Sequence, residues 1–563
     1  MKQQTILFII ILSIFSIFLL STIDDTGITV DERFYFYQTI KLSNSSINFF
    51  ERYQDYGPPH HDLFMQTFSI PFYLATKSFL ETSTALRLGT SVLYILFLIF
   101  FYVFVSRWFN KVIALAGTVI LIGMPRVFFH SHLLAIDFPV MVLYFISTIL
   151  FYEAYTKRSL KYVACAGLAL GATLATKINA YSIFIAIAVY VAYKSLKTRK
   201  IVYSTVKRFK IPVIILVFIL SAIIFFLISP QYYKNPLSFI DYLRYHSPAS
   251  RYDKVFIFNQ AHEPTDLISY LFLPYMLITT FNAIHVFIMI CGFFLSFKLK
   301  ENKDKMRYLL FMFVITSIFL SSPLGYKGDG NGERYLLMLF PFVALFAGVG
   351  SQAIINSMVL MLNRQSRKKK LILELTVISF LVLTSAYTLV STHPFQSSYF
   401  NAIAGGSETV AKYNTFTVTY WLDELKYTLD FINNLPENTT IYAHPQASPY
   451  LWYKEQGFLR KDITIDENDP KYIVLTLRQS SIFPLDTWAS IQFDPLIDPN
   501  NPLPVFVLKN NQNVEILRMY KMPEYTSQFV LVPYIIQPST ESHDNASNSS
   551  IKSIVADSRR KNK

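Results

Sequence analysis

The chain has 563 residues, 52% of them hydrophobic, with a mean hydropathy of +0.35. Phe (51) and Tyr (37) are so abundant that the composition argues against a soluble enzyme and for a polytopic membrane protein that presents apolar surface to lipid. The net charge of +14 gathers in short connectors, which argues against nucleic acid as a partner, and the two cysteines (Cys165 and Cys291) make neither a disulfide framework nor a metal cluster.

In chain order, Thr5–Ser21 is an apolar run without a small-x-small cleavage site, and it is read as an uncleaved first helix. Apolar runs of span length follow, giving eleven in all: 5–22, 84–106, 112–125, 133–154, 161–176, 179–193, 211–229, 278–297, 307–323, 335–357 and 371–391. Basic residues mark the connectors after spans two, four, six, eight and ten. The sixth-span connector, Lys194–Lys210, carries seven Lys/Arg and no acid, and the tenth includes RQSRKKK. The positive-inside rule then sets the N-terminus in the cytoplasm. It sets the loop 23–83, the residues around Asp137, Lys177, the GYKGDGNGERY stretch and everything after Thr392 outside. Within the first external loop, YGPPHHDLFMQTFSIPFYLATKSFL opens on a Pro-Pro turn and continues as an amphipathic helix suited to the interface, and 266–280 reads similarly.

After residue 391 the composition becomes that of a small soluble α/β domain, expected over 392–538. WLDELKYTLDFINNL places Leu422, Leu425, Leu429 and Ile432 on one helical stripe. TIYAH, YIVLTL, VFVLKN and VEILRMY read as strands. Residues 539–563 are Ser/Asn-rich, end in RRKNK, and read as a disordered tail.

The chemistry-bearing residues gather on the outer face. Asp31 and Glu32 are adjacent carboxylates after the first span, and Asp137 opens the fourth. Carboxylates at the lipid boundary are costly and commonly face a cavity, although a helix N-cap is the competing role for each of the two aspartates. Lys177 and Arg334 stand at the outer ends of spans, where Lys also snorkels to the interface. Arg126, His132, His60 and His61 lie on the same side.

Four segments in this order, TVDERFYFYQTIKL, YGPPHHDLF, LLAIDFPVMVLYF and GLALGATLATKINAYSI, resemble the GT-C membrane glycosyltransferases. The resemblance is to the branch that uses polyprenyl-phosphate sugars, glycosyltransferase family 39 with the protein O-mannosyltransferases and aminoarabinose-transferase-like enzymes. It covers about the first 390 residues, and THPFQSSYFNAIAGG resembles a segment after the last span in some relatives. It implies an integral membrane enzyme on the lipid bilayer that moves a monosaccharide from a polyprenyl monophosphate to a hydroxyl of a protein, glycolipid or glycan. Asp31 would be the base of an inverting displacement, while Glu32 and Asp137 would position the acceptor or a divalent cation. Lys177, Arg334 and Arg126 would hold the phosphate, and His60, His61 and His132 stand near the substrate. The sequence departs from the family in placing the prolines before the histidines (GPPHHD) and in having His132 five residues ahead of Asp137. The competing readings are a transporter or flippase of lipid-linked sugars and a non-catalytic subunit of a glycosylation complex.

Overall fold

Each apolar run folds as a helix, because a backbone in lipid must satisfy its own hydrogen bonds. A computed structural model describes residues 2–48, 52, 63–198, 207–233, 235–245, 255–299, 302–322, 332, 334–361, 366–467, 469–477 and 503–522. The first helices are α1 (Lys2–Ser21), α2 (Glu32–Ser43), α3 (Phe64–Thr76), α4 (Thr82–Trp108), α5 (Lys111–Ile122) and α6 (Pro125–His130). There follow α7 (Asp137–Lys157), α8 (Leu160–Leu174), α9 (Ser182–Thr198), α10 (Lys207–Ile228) and α11 (Ser238–Tyr245). The bundle closes with α12 (Phe272–Thr279), α13 (Ala283–Ser296), α14 (Lys303–Ser321), α15 (Phe340–Met361) and α16 (Arg367–Thr392).

Among the described residues, 6 helices are long and apolar enough to cross a membrane, or up to 7 if the bent pair α12–α13 counts as one span. The expected set of eleven full spans is corrected on this point: α5, α8 and the apolar part of α10 (212–228) are shorter. α14 opens on Lys303, Asp304 and Lys305, so its apolar stretch is shorter than its length suggests. The amphipathic segment of the first loop forms α3, and 266–280 forms a short 3-10 turn leading into α12.

Glycines set the closest helix approaches. A Cβ on Gly292 of α13 would stand 1.8 Å from Phe346 O of α15, and one on Gly350 would stand 2.1 Å from Ile288 O. On the other side of α15, a Cβ at Gly348 would stand 2.4 Å from Ile113 O of α5. α15 is therefore wedged between two helices at distances only hydrogen side chains allow.

The bend of 112° between α12 and α13 breaks the helical hydrogen-bond ladder. Asn282 caps α13 by accepting from Ile284 N at 2.9 Å. Asn401 Nδ2 donates to Ile278 O and Phe281 O, each at 2.7 Å. The freed carbonyls at the break thus find partners in the segment after the last span.

Beyond α16 lies a mixed sheet of β3 (Thr440–His444), β4 (Thr464–Ile465), β5 (Tyr472–Thr476), β6 (Phe506–Lys509) and β7 (Glu515–Lys521), in the order β4-β3-β5-β7-β6. β3 runs parallel to β4 and β5, whereas β7 is antiparallel to both β5 and β6. A separate hairpin, β1 (Val255–Ile257) and β2 (Gln260–His262), precedes α12. The helical stripe expected from Leu422 forms instead as a 3-10 turn at Asp423–Thr428 followed by the short helix Leu429–Asn433. Leu422 sits at φ 65°, which no helix tolerates, so the helix starts after it. The tail expected at 539–563 lies outside the described residues.

Candidate active site

Asp31 sits at the start of α2, yet its carboxylate makes no capping bond to that helix. Its Oδ2 instead accepts from Arg334 Nη1 at 2.8 Å and from Trp421 Nε1 at 3.2 Å. The capping role is thereby set aside for this residue. The pair is only partly buried: the Asp31 side chain is 38% exposed and that of Arg334 13%. Arg334 lies over the Trp421 ring at 5.1 Å and over the Tyr335 ring at 5.0 Å, a setting that suits a flat guanidinium.

The second pair meets the first at Tyr335. Asp137 is the first residue of α7, and Lys177 follows the end of α8 in an extended conformation that carries its side chain inward. Their side chains form a buried ion pair. Lys177 Nζ also stands 4.1 Å from the centre of the Tyr335 ring. Four of the residues expected at the site, Asp31, Asp137, Lys177 and Arg334, therefore converge through one aromatic ring at one end of the bundle.

Glu32 occupies a different place, as neighbouring helical residues pointing about 100° apart must. It is wholly buried, and Arg87 of α4 holds both its oxygens, Nε to Oε1 at 2.8 Å and Nη2 to Oε2 at 2.6 Å. Leu134 N and Thr29 N donate to it as well, at 2.9 and 3.0 Å. Arg87 Nη1 and Nη2 reach further to Thr26 O at 2.7 Å and Gly27 O at 2.8 Å. This pair fixes the turn between α1 and α2, and it turns the Glu32 carboxylate away from the open side of Asp31. Sequence reasoning missed Arg87, although a lone Arg within the apolar run TALRLGT carries the needed signal.

Arg126 is buried, donates to Tyr399 O through Nε at 3.3 Å and Nη2 at 3.1 Å, and stacks over Phe400 at 4.6 Å. It is built into the wall between α6 and the segment after α16. His132 is also buried, with Nδ1 against Phe128 O at 2.7 Å and Nε2 against Thr22 Oγ1 at 3.0 Å. Burial, with Arg87 nearby, pushes its pKa down to about 4, so it is a neutral packing group at ordinary pH. His130, which sequence reasoning left without a role, contacts Tyr420 OH at 3.1 Å and the Trp421 ring at 5.1 Å. His60 and His61 lie outside the described residues.

Among the described residues, the ligand set does not fit a divalent cation. Among the described residues no group of three or more His, Cys, Asp or Glu could hold a metal, and the Asp137 carboxylate is engaged by Lys177.

The helices form a multi-pass α-helical membrane protein with the GT-C fold. Residues 71–233 match the family model described as dolichyl-phosphate-mannose-protein mannosyltransferase. The fold is similar to that of ArnT from Cupriavidus metallidurans in the apo state, with a TM-score of 0.50 and 12% identity over 92% of this chain and 98% of that one. The same protein bound to undecaprenyl phosphate gives 0.47 and 12% over 92% and 97%. The archaeal oligosaccharyltransferase AglB from Archaeoglobus fulgidus, in complex with an inhibitory peptide and a dolichol-phosphate, gives 0.44 and 13% over 83% and 69%. No curated protein matches the chain by sequence. The resemblance to GT-C glycosyltransferases drawn from the motifs thus holds in both the family model and the fold.

Proposed function

We propose that this chain transfers a monosaccharide from a polyprenyl monophosphate to a hydroxyl acceptor, with inversion, on the extracytoplasmic face. The observation that carries the reading is the meeting of Asp31–Arg334 and Lys177–Asp137 at Tyr335. It sets a half-exposed carboxylate within hydrogen-bond reach of a cation suited to phosphate. Asp31 takes the acceptor's hydroxyl proton as the acceptor oxygen attacks the anomeric carbon from the side opposite the phosphate. The bond between that carbon and the phosphate oxygen breaks, and its electron pair leaves with polyprenyl phosphate. Arg334 and Lys177 match the charge that develops there. Phosphate that engages Arg334 also releases Asp31 from its ion pair, so donor binding frees the base. Glu32 and Arg126 act as supports, and Asp137 holds Lys177 in place. The acceptor is a protein, glycolipid or glycan hydroxyl, and the domain after α16 covers the site on the same side.

The test is release of free polyprenyl phosphate by purified protein from a panel of polyprenyl-phosphate sugars, with membrane extract supplying the acceptor. Asp31→Asn should lower turnover by roughly 100-fold to 10,000-fold, the range for loss of a general base. Donor binding with no turnover by the wild type would instead favour a transporter or a non-catalytic subunit.

A further inference from the structure

Trp421 lies 29 residues after the last span ends at Thr392, in a segment that composition alone assigns to the soluble part of the chain. It nevertheless reaches Asp31. Its indole Nε1 donates to Oδ2, its ring lies beneath the Arg334 guanidinium, and its backbone carbonyl accepts from Val30 N at 3.1 Å, next to Asp31 in the chain. The ring is buried against Phe129 and His130, so it has little freedom to leave.

The backbone around it is held under strain. Leu422 takes φ 65° and ψ 19°, a left-handed conformation that disfavours a bulky side chain and clusters at functional sites. Upstream, the turn of the β1–β2 hairpin donates from Phe258 N to Thr415 O at 2.8 Å and from Asn259 N to Asn414 O at 2.9 Å. Downstream, Lys426 Nζ and Tyr427 OH donate to Asp24 O and Asp25 O. The segment is therefore fastened on both sides of Trp421 to loops of the membrane module, one of them the turn that carries Asp31.

Both hydrogen bonds to Asp31 fall on the same oxygen. Arg334 and Trp421 share Oδ2, and among the described residues Oδ1 accepts no hydrogen bond. We propose that Trp421 is a positioning residue for the base: it holds Oδ2, orients Oδ1 toward the acceptor hydroxyl, and keeps hold of the carboxylate when phosphate draws Arg334 away. This rests on the glycosyl-transfer reading above. It also makes the chain beyond the last span an integral part of the reaction centre.

Trp421→Phe retains the ring over Arg334 and removes the N–H. Kcat should fall about tenfold or more, the cost of one hydrogen bond to a charged group, while the donor KM stays within about threefold. Unchanged kcat, or a raised donor KM at unchanged kcat, would overturn the proposal, since the second result would make Trp421 a donor-binding residue acting through Arg334. A measurement independent of turnover and of any Trp421 variant uses the protein labelled with 5-fluorotryptophan, which gives four fluorine resonances from its 4 tryptophans. One resonance should be displaced in Asp31→Asn relative to the wild type. If none of the four distinguishes the two proteins, the contact is overturned. If the wild type shows no transfer but that resonance is displaced in Asp31→Asn, the glycosyl-transfer reading fails while the Trp421–Asp31 contact stands.

Discussion

At the scale of single residues, the Glu32–Arg87 pair is the buried charge on which the site depends. Both side chains are almost wholly excluded from solvent, and the Arg87 hydrogen bonds span the turn that presents Asp31. Arg87→Met leaves the Glu32 carboxylate buried without its partner and should cost about 3–5 kcal/mol. Thermal unfolding in detergent should show a large drop in Tm, partly restored by the second change Glu32→Gln; an unchanged Tm would remove the pair from this role. Asp423, below the same turn, accepts from Ser397 Oγ at 3.2 Å. Burial, with the Glu32 charge nearby, pushes its pKa up to about 7. The folded state thus holds a proton that the unfolded chain gives up near the ordinary carboxylate value of 3.8, so the stability Asp423 supplies is full below about pH 4 and is lost as pH rises through about 7. The Tm difference between wild type and Asp423→Asn should shift against the wild type over that window, and a pH-independent difference would contradict the assignment. His132 titrates in the opposite sense between about 4 and 6.5, which is why the variant difference, not the wild-type curve alone, isolates Asp423.

At the scale of elements, the approach of α13 to α15 allows no side chain at Gly292 or Gly350. Gly292→Val would press a branched side chain onto the backbone at Phe346 and should cost at least about 1–3 kcal/mol, read as a lower Tm with the fold's helicity retained. A neutral Gly292→Val would mean the two helices are free to separate. The same scale shows what could be read from the sequence. The apolar runs marked the helices because 3.6-residue periodicity and lipid burial leave few alternatives, and the strands at 440–444, 472–476, 506–509 and 515–521 were visible as short β-branched and aromatic runs. Asp31, Asp137, Lys177 and Arg334 were legible because each is a charge at the end of an apolar run. Trp421 was not, because its role depends on a contact with Asp31 across 390 positions that no local pattern encodes. The break at Leu422 was hidden for a related reason: its leucine stripe reads as a continuous helix until the docking of the preceding segment imposes a positive φ.

At the scale of the whole molecule, we propose from the distribution of Lys and Arg that the N-terminus lies in the cytoplasm and the reaction centre outside. Single cysteines placed at Asn44, after α2, and at Lys412, in the segment before Trp421, should react with a membrane-impermeant maleimide in intact cells, in a background from which Cys165 and Cys291 have been removed. One at Ser366, within the basic connector before α16, should react only after permeabilisation. The reverse pattern would invert the topology and move the acid–cation pairs to the cytoplasmic side.

We propose a division of labour, with the base at Asp31 and the phosphate cation at Arg334, and separating donor binding from turnover in the two variants tests it. Asp31→Asn should bind a polyprenyl-phosphate sugar about as tightly as the wild type and release almost no polyprenyl phosphate. Arg334→Ala should lose donor affinity by at least about tenfold, as removal of a charged hydrogen-bonding partner implies. Full turnover by Asp31→Asn, or undiminished donor binding by Arg334→Ala, would overturn that division of roles.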